Sequence, residues 1–237
     1  MKKTIRLVIL SGLVLVMVLS MPVSARTFMQ GGVNLLLGFP QGDFKDEVDK
    51  TGVGIAGEFL YSPSNSPVGI GVSLGYMIYG HETRREPFSS TIPDVEVEVE
   101  TSNNILLGHL LLRAQMRHGP IRPYIEGLLG FNYLFTKTTI NDIGGGGEDV
   151  ASSTNLDDFV FSYGAGGGLL IKLYGTPPGA PKELGLYLDL RGRYLIGGKA
   201  EYLKEGSIGR EDGEVVYDIT ESKTDLLTAR IGLTFEF

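Results

Sequence analysis

The side chains able to do chemistry here are Glu58, Glu126, Asp189, Arg191, Arg193 and Arg230, together with His81, His109 and His118. Carboxylates and guanidiniums in this mixture form ion pairs, and a buried charge left unpaired is costly. A Ser–His–acid site requires convergent geometry, and no serine near His81 or His109 forms a nucleophile motif. The three scattered histidines lack metal-ligand spacing. Cysteine is absent, which removes thiolate nucleophiles, thiolate metal sites and disulfides. The run Gly144-Gly145-Gly146-Gly147 belongs to a loop tip, since nothing around it forms a phosphate-binding loop. These residues point to no catalytic residue, no cofactor and no metal, and the charged set reads as a paired network.

What must position that network is a series of strands. Apolar side chains alternate with glycine, polar or charged ones at a period of two, the mark of a strand with two different faces. Strand one runs from about Phe28 to Phe39, strand two from Val53 to Tyr61, and strand three from Val68 to Gly80. Strand four covers about Asn104 to Gln115, strand five Arg122 to Phe135, strand six Phe159 to Lys172, and strand seven Leu184 to Lys199. The eighth ends the chain, with Leu227, Ala229, Ile231, Leu233, Phe235 and Phe237 on one face and Thr228, Arg230, Thr234 and Glu236 on the other. Alternation is weakest in strand four, where Ile105, Leu107 and Leu111 add apolar residues to the minority face. No helical period appears after the N-terminal segment.

An even number of strands, short turns alternating with long loops, and lengths of about 9–11 residues or more predict an all-β fold: an eight-stranded antiparallel up-and-down transmembrane β-barrel. In hydrocarbon every backbone polar group needs a partner within the protein, so the sheet must close. The apolar faces then look outward to lipid. The minority faces, with Glu58, Glu126, Asp189, Arg191, Arg193, Lys172 and Arg230 separated by glycine, line the interior. Aromatics near strand ends, Phe28, Phe39, Tyr61, Phe135, Phe159, Tyr194 and Phe237, fit interfacial girdles.

The N-terminus predicts export. Lys2, Lys3 and Arg6 precede an apolar stretch from Leu7 to Leu19, and Val23-Ser24-Ala25 is a small-residue cleavage site. The expected organisation is a cleavable signal peptide over 1–25 and a barrel domain over 26–237. The chain carries a formal charge of −7; the acidic sign argues against a nucleic-acid partner. Acid concentrates in the four long loops, 40–52, 81–103, 137–158 and 201–225, leaving the barrel and turns basic. In loop two, Glu96, Glu98 and Glu100 occupy the parity that carries leucine further along strand four. Strand four is therefore expected to continue above the membrane into water as an exposed hairpin arm, unless a bulge spoils the count.

A cleavable signal, eight strands, protruding hairpins and a terminal aromatic resemble the small outer-membrane β-barrels of the OmpX and OmpA-barrel type. The resemblance covers the whole mature chain and rests on pattern. The alternating C-terminal assembly signal of that family is matched by Ile231, Leu233, Phe235 and Phe237. It implies residence in the cell outer membrane, contact with outer-membrane lipid, and delivery to the barrel-assembly machinery through the C-terminal strand. The expected function is that of a monomeric, non-enzymatic barrel with a filled polar interior and acidic external loops. Its role is then structural, or the binding of a surface partner through the loops. A small diffusion pore and a lipid-modifying enzyme are the alternatives.

Overall fold

The computed structural model describes residues 27–63, 66–89, 92–142, 149–176, 184–211 and 214–237. The expected signal peptide and the glycine run at 144–147 lie outside these residues. Alternating apolar and small residues extend into strands β1 (Thr27–Pro40), β2 (Gly52–Pro63), β3 (Val68–Ser89), β4 (Ile92–Gln115), β5 (Ile121–Asp142) and β6 (Asp149–Gly175). Strands β7 (Gly185–Gly197), β8 (Lys199–Glu211), β9 (Glu214–Lys223) and β10 (Leu226–Glu236) follow. Eight of these close into one antiparallel barrel in the order β1-β10-β7-β6-β5-β4-β3-β2, while among the described residues β8 and β9 pair only with each other. The seam joins β10 to β1 without a break in register, from Gln30 opposite Glu236 to Pro40 opposite Leu226.

The two faces of the wall have opposite chemistry. Val33, Leu35, Val53, Ile55, Val72, Leu74, Leu112, Ile125, Leu129, Phe161, Ile231 and Leu233 point away from the barrel axis and are exposed. Ile125 is 70% exposed and Val33 65%. A continuous apolar belt around a closed sheet far exceeds the few hundred Å² of contiguous apolar surface that a water-soluble monomer presents. This is the surface of a barrel made for a lipid surrounding. Expected girdle members Phe159, Tyr194 and Phe237 stand exposed on this outer wall.

The wall is uneven in height. Strands β1, β2, β7 and β10 have 14, 12, 13 and 11 residues, while β3, β4, β5 and β6 have 22, 24, 22 and 27. At about 3.3 Å per residue, four neighbouring strands rise well above the rest as a twisted sheet. The glutamate parity predicts a hairpin arm on strand four; the structure extends that arm to four strands. Strand β4 pairs with β5 without a register shift from Gln115 to Val97. Val97 and Val99 are accordingly buried, while Glu98 and Glu100 take the other face. The bulge falls instead on β3, between Ile78 and Gly80. It gives Tyr79 an extra position and turns its ring inward, 3% exposed.

Three of the expected loops depart from the sequence expectation. Loop three (137–158) is largely strand, since β5 runs to Asp142 and β6 begins at Asp149. Loop one contains a short helix, α1 (Asp43–Glu47), where no helical period is visible; five residues are too few to display one. Loop four is a β8–β9 hairpin.

Close backbone approach also shapes the seam. A Cβ added at Gly232 would fall on the carbonyl oxygen of Val33 and crowd Asn34 across the β1–β10 pair. Gly232→Ala is therefore expected to lower stability by about 1–3 kcal/mol, as overpacking does. The urea midpoint of the refolded protein checks this.

Candidate functional site

The inward parity of β2, β4, β5 and β7 brings distant charges to one level inside the barrel. Asp189, Arg191 and Arg193 stand at spacing two on β7 and share its inner face. Glu58 on β2 accepts from Arg113 Nη2 at 2.6 Å, Arg191 Nη2 at 2.6 Å and Arg193 Nη2 at 3.1 Å. Arg191 Nη1 also donates to Glu58. Glu126 on β5 takes Arg113 Nη2 at 2.8 Å and Arg193 Nε at 2.6 Å. Asp189 accepts from Arg191, from the Tyr124 hydroxyl at 2.6 Å, and from Thr234 Oγ1 at 3.2 Å. The Arg113 guanidinium lies over the Tyr124 ring, 4.2 Å from its centroid. The side chains of Glu126, Asp189, Arg113, Arg191 and Arg193 are fully buried and that of Glu58 is 3% exposed. Such a knot is held by multivalence: each carboxylate serves more than one donor, so no charge in it stands alone.

Towards the short-turn end, Glu236 receives Arg122 Nη1 at 3.0 Å, Gln30 Nε2 at 2.8 Å and the Tyr187 hydroxyl at 3.3 Å. Towards the long-loop end the interior becomes apolar. Leu36, Met77, Ile105, Leu107, Leu134, Val160, Leu195 and Leu226 form one buried cluster. The apolar minority face of strand four is thus turned inward, and the polar interior expected throughout gives way to this layer. Phe44 of α1 enters it from above, fully buried. Its ring meets Tyr79 edge-on at 5.8 Å and Tyr202 of β8 at 5.3 Å. The Tyr202 hydroxyl shares a hydrogen bond with Ser222 Oγ at 2.7 Å, and burial pushes its pKa up. The β8–β9 hairpin is fastened to the arm and to α1. Arg84 Nη1 donates to the Ile208 carbonyl at 2.5 Å, Gly206 N to Glu82 Oε2 at 2.8 Å, and Lys204 Nζ to Glu47 Oε2 at 2.7 Å.

The structure places Glu58, Glu126, Asp189, Arg191, Arg193 and Arg230 inside the barrel. It joins the first five directly and sets Arg230 beside them, donating to Ser73 Oγ at 3.1 Å. Arg113 and Tyr124 are missing from the sequence-based set. Arg113 shares strand parity with the inward His109, and that signal would have found it. Lys172, expected inside, is exposed near the turn end, where a register shift between Lys172 and Tyr174 breaks the alternation. His81 and His118 are exposed. His109 is 4% exposed and lies 3.2 Å from Ser162 Oγ, itself fully buried. No carboxylate completes that pair among the described residues, and no group of metal-ligating side chains is found among them. Ile231, Leu233, Phe235 and Phe237 lie on the outer wall.

No protein-family model and no curated protein sequence matches the chain. Among solved structures it is similar to Neisserial surface protein A, with 9% identity and a TM-score of 0.36, over 89% of this chain and 95% of that one. It is also similar to Ail, the attachment invasion locus protein of Yersinia pestis, with 15% identity and a TM-score of 0.36, over 89% and 97% of the two chains. A major outer membrane protein from Thermus thermophilus is similar at 12% identity and a TM-score of 0.38, over 88% and 99%. Likeness at this level concerns architecture, which does not carry function with it.

Proposed function

We propose that the chain is a monomeric integral outer-membrane protein whose barrel is a closed anchor and whose role lies in the arm and hairpin displayed at the long-loop end. The observation that carries this reading is the stack of charged and apolar side chains inside the barrel. The charged knot spans the barrel, and Phe44, Tyr79 and Tyr202 lie above it in an apolar layer. An eight-stranded barrel is about wide enough for side chains to fill, which supports a closed interior. The acidic loops then face the exterior, where they keep the arm solvated.

A surface partner is supported by the hairpin. Among the described residues strand β9 pairs with β8 alone, and its Val216, Tyr217 and Ile219 are exposed. An unpaired strand edge is a template for strand addition by another chain. The leader over 1–25 serves export, and the outward row Ile231, Leu233, Phe235 and Phe237 serves recognition by the barrel-assembly machinery.

The test is single-channel recording of the mature chain refolded into a planar bilayer, with folding checked by heat-shifted gel migration. A folded but silent barrel is expected. Steady, reproducible openings would replace this reading with a diffusion pore.

A further inference from the structure

We propose that the barrel interior holds one small monovalent anion, of the chloride class, against Arg230. The inference is independent of the role given to the loops. It begins with charge. The central interior layer contains the carboxylates Glu58, Glu126 and Asp189 and the guanidiniums Arg113, Arg191, Arg193 and Arg230. The lower pair, Arg122 with Glu236, is balanced by itself. One positive charge is left over, and an arginine cannot shed it by losing a proton.

The surplus belongs to Arg230. Each of the three carboxylates is already engaged by other guanidiniums, and no carboxylate lies within ion-pair distance of Arg230 among the described residues. Among the described residues its one hydrogen bond runs from Nη1 to Ser73 Oγ at 3.1 Å, and Arg193 Nη1 donates to the same oxygen at 2.9 Å. Two cations thus converge on one neutral hydroxyl. Arg230 is 4% exposed, and its Nε and Nη2 have no hydrogen-bond partner among the described residues. Those two nitrogens form one edge of the guanidinium fork, the edge suited to a single acceptor between them. Thr228, two residues along the same inner face and fully buried, also has an unpartnered hydroxyl.

A water molecule would satisfy these donors but not the charge, whereas a halide does both. The enclosure of the donors disfavours a polyatomic oxyanion, and a surplus of one charge calls for a monovalent ion. Neutralising Arg230 in this way also separates it electrostatically from Arg193.

Crystals of the refolded protein grown in sodium bromide test the site directly. The expected result is an anomalous difference peak within hydrogen-bonding distance of Arg230 Nε and Nη2. In solution, the unfolding midpoint is compared in sodium chloride and sodium gluconate at equal ionic strength. Chloride at a hundred times its Kd is expected to lower the unfolding constant about 100-fold. Arg230→Met is expected to make the two salts equivalent. The absence of a bromide peak at Arg230 overturns the proposal. Identical wild-type midpoints in the two salts do so too, as does a chloride effect that survives in Arg230→Met. The bromide experiment needs only the wild-type chain, so a variant that fails to fold leaves the proposal open to refutation.

Discussion

Replacing Glu58 by glutamine is expected to destabilise the barrel by about 3–5 kcal/mol, the cost of removing one partner from a buried ion pair. The side chain of Glu58 is 3% exposed and accepts from Arg113, Arg191 and Arg193 together. Glutamine keeps the volume and one acceptor oxygen but removes the charge. Two carboxylates, Glu126 and Asp189, would then face four guanidiniums in the same layer. Urea unfolding of the refolded chain in lipid vesicles reads the effect. A midpoint within error of the wild type would mean that the knot is well solvated and that its distances do not reflect energetic coupling. The exposed pair Lys199 with Glu221 provides the contrast. Its removal is expected to leave the midpoint unchanged, because exposed ion pairs contribute little.

Phe44→Ala is expected to cost a comparable amount, about 3–5 kcal/mol, by leaving a cavity where a fully buried ring had been. The consequences differ from those at Glu58. Phe44 is fully buried and joins α1 to Tyr79 of β3 and Tyr202 of β8. Its loss removes the centre of the contact that seats the β8–β9 hairpin on the mouth. Cleavage within the hairpin by an added protease is expected to accelerate, while the belt strands stay resistant. If cleavage and urea midpoint both match the wild type, the ring is not what holds the hairpin down. Glu58→Gln, by contrast, is expected to leave hairpin cleavage nearly unchanged under native conditions, since the knot lies below the apolar layer.

These two sites show where sequence reasoning reaches and where it stops. Glu58 is recognisable as inward because Ile55, Phe59 and Tyr61 set the outward pattern around it. Its partners are not recognisable in the same way. Arg191 lies 133 residues away, and only the stagger of the strands around the ring brings the two together. Phe44 belongs to a polar loop, and a single aromatic among Asp43, Lys45, Asp46 and Glu47 carries no periodic signal. Strand four lies between these cases. The inward position of Ile105, Leu107 and Leu111 is visible as weakened alternation, but their shared cluster with Phe44 and Tyr202 is not.

The alternation alone determined the eight barrel strands, their two faces and their even number. It also determined the run of β4 into the arm, because side-chain direction in a strand follows from neighbouring residues. Tertiary structure decided which inward residues touch, because that depends on register and stagger around a closed ring. It decided that Arg113 joins the knot while Arg230 stands beside it with no carboxylate partner among the described residues. It also decided that α1 and the β8–β9 hairpin fold over the mouth. That last arrangement is a matter of packing between segments far apart in the chain, and no local period encodes it.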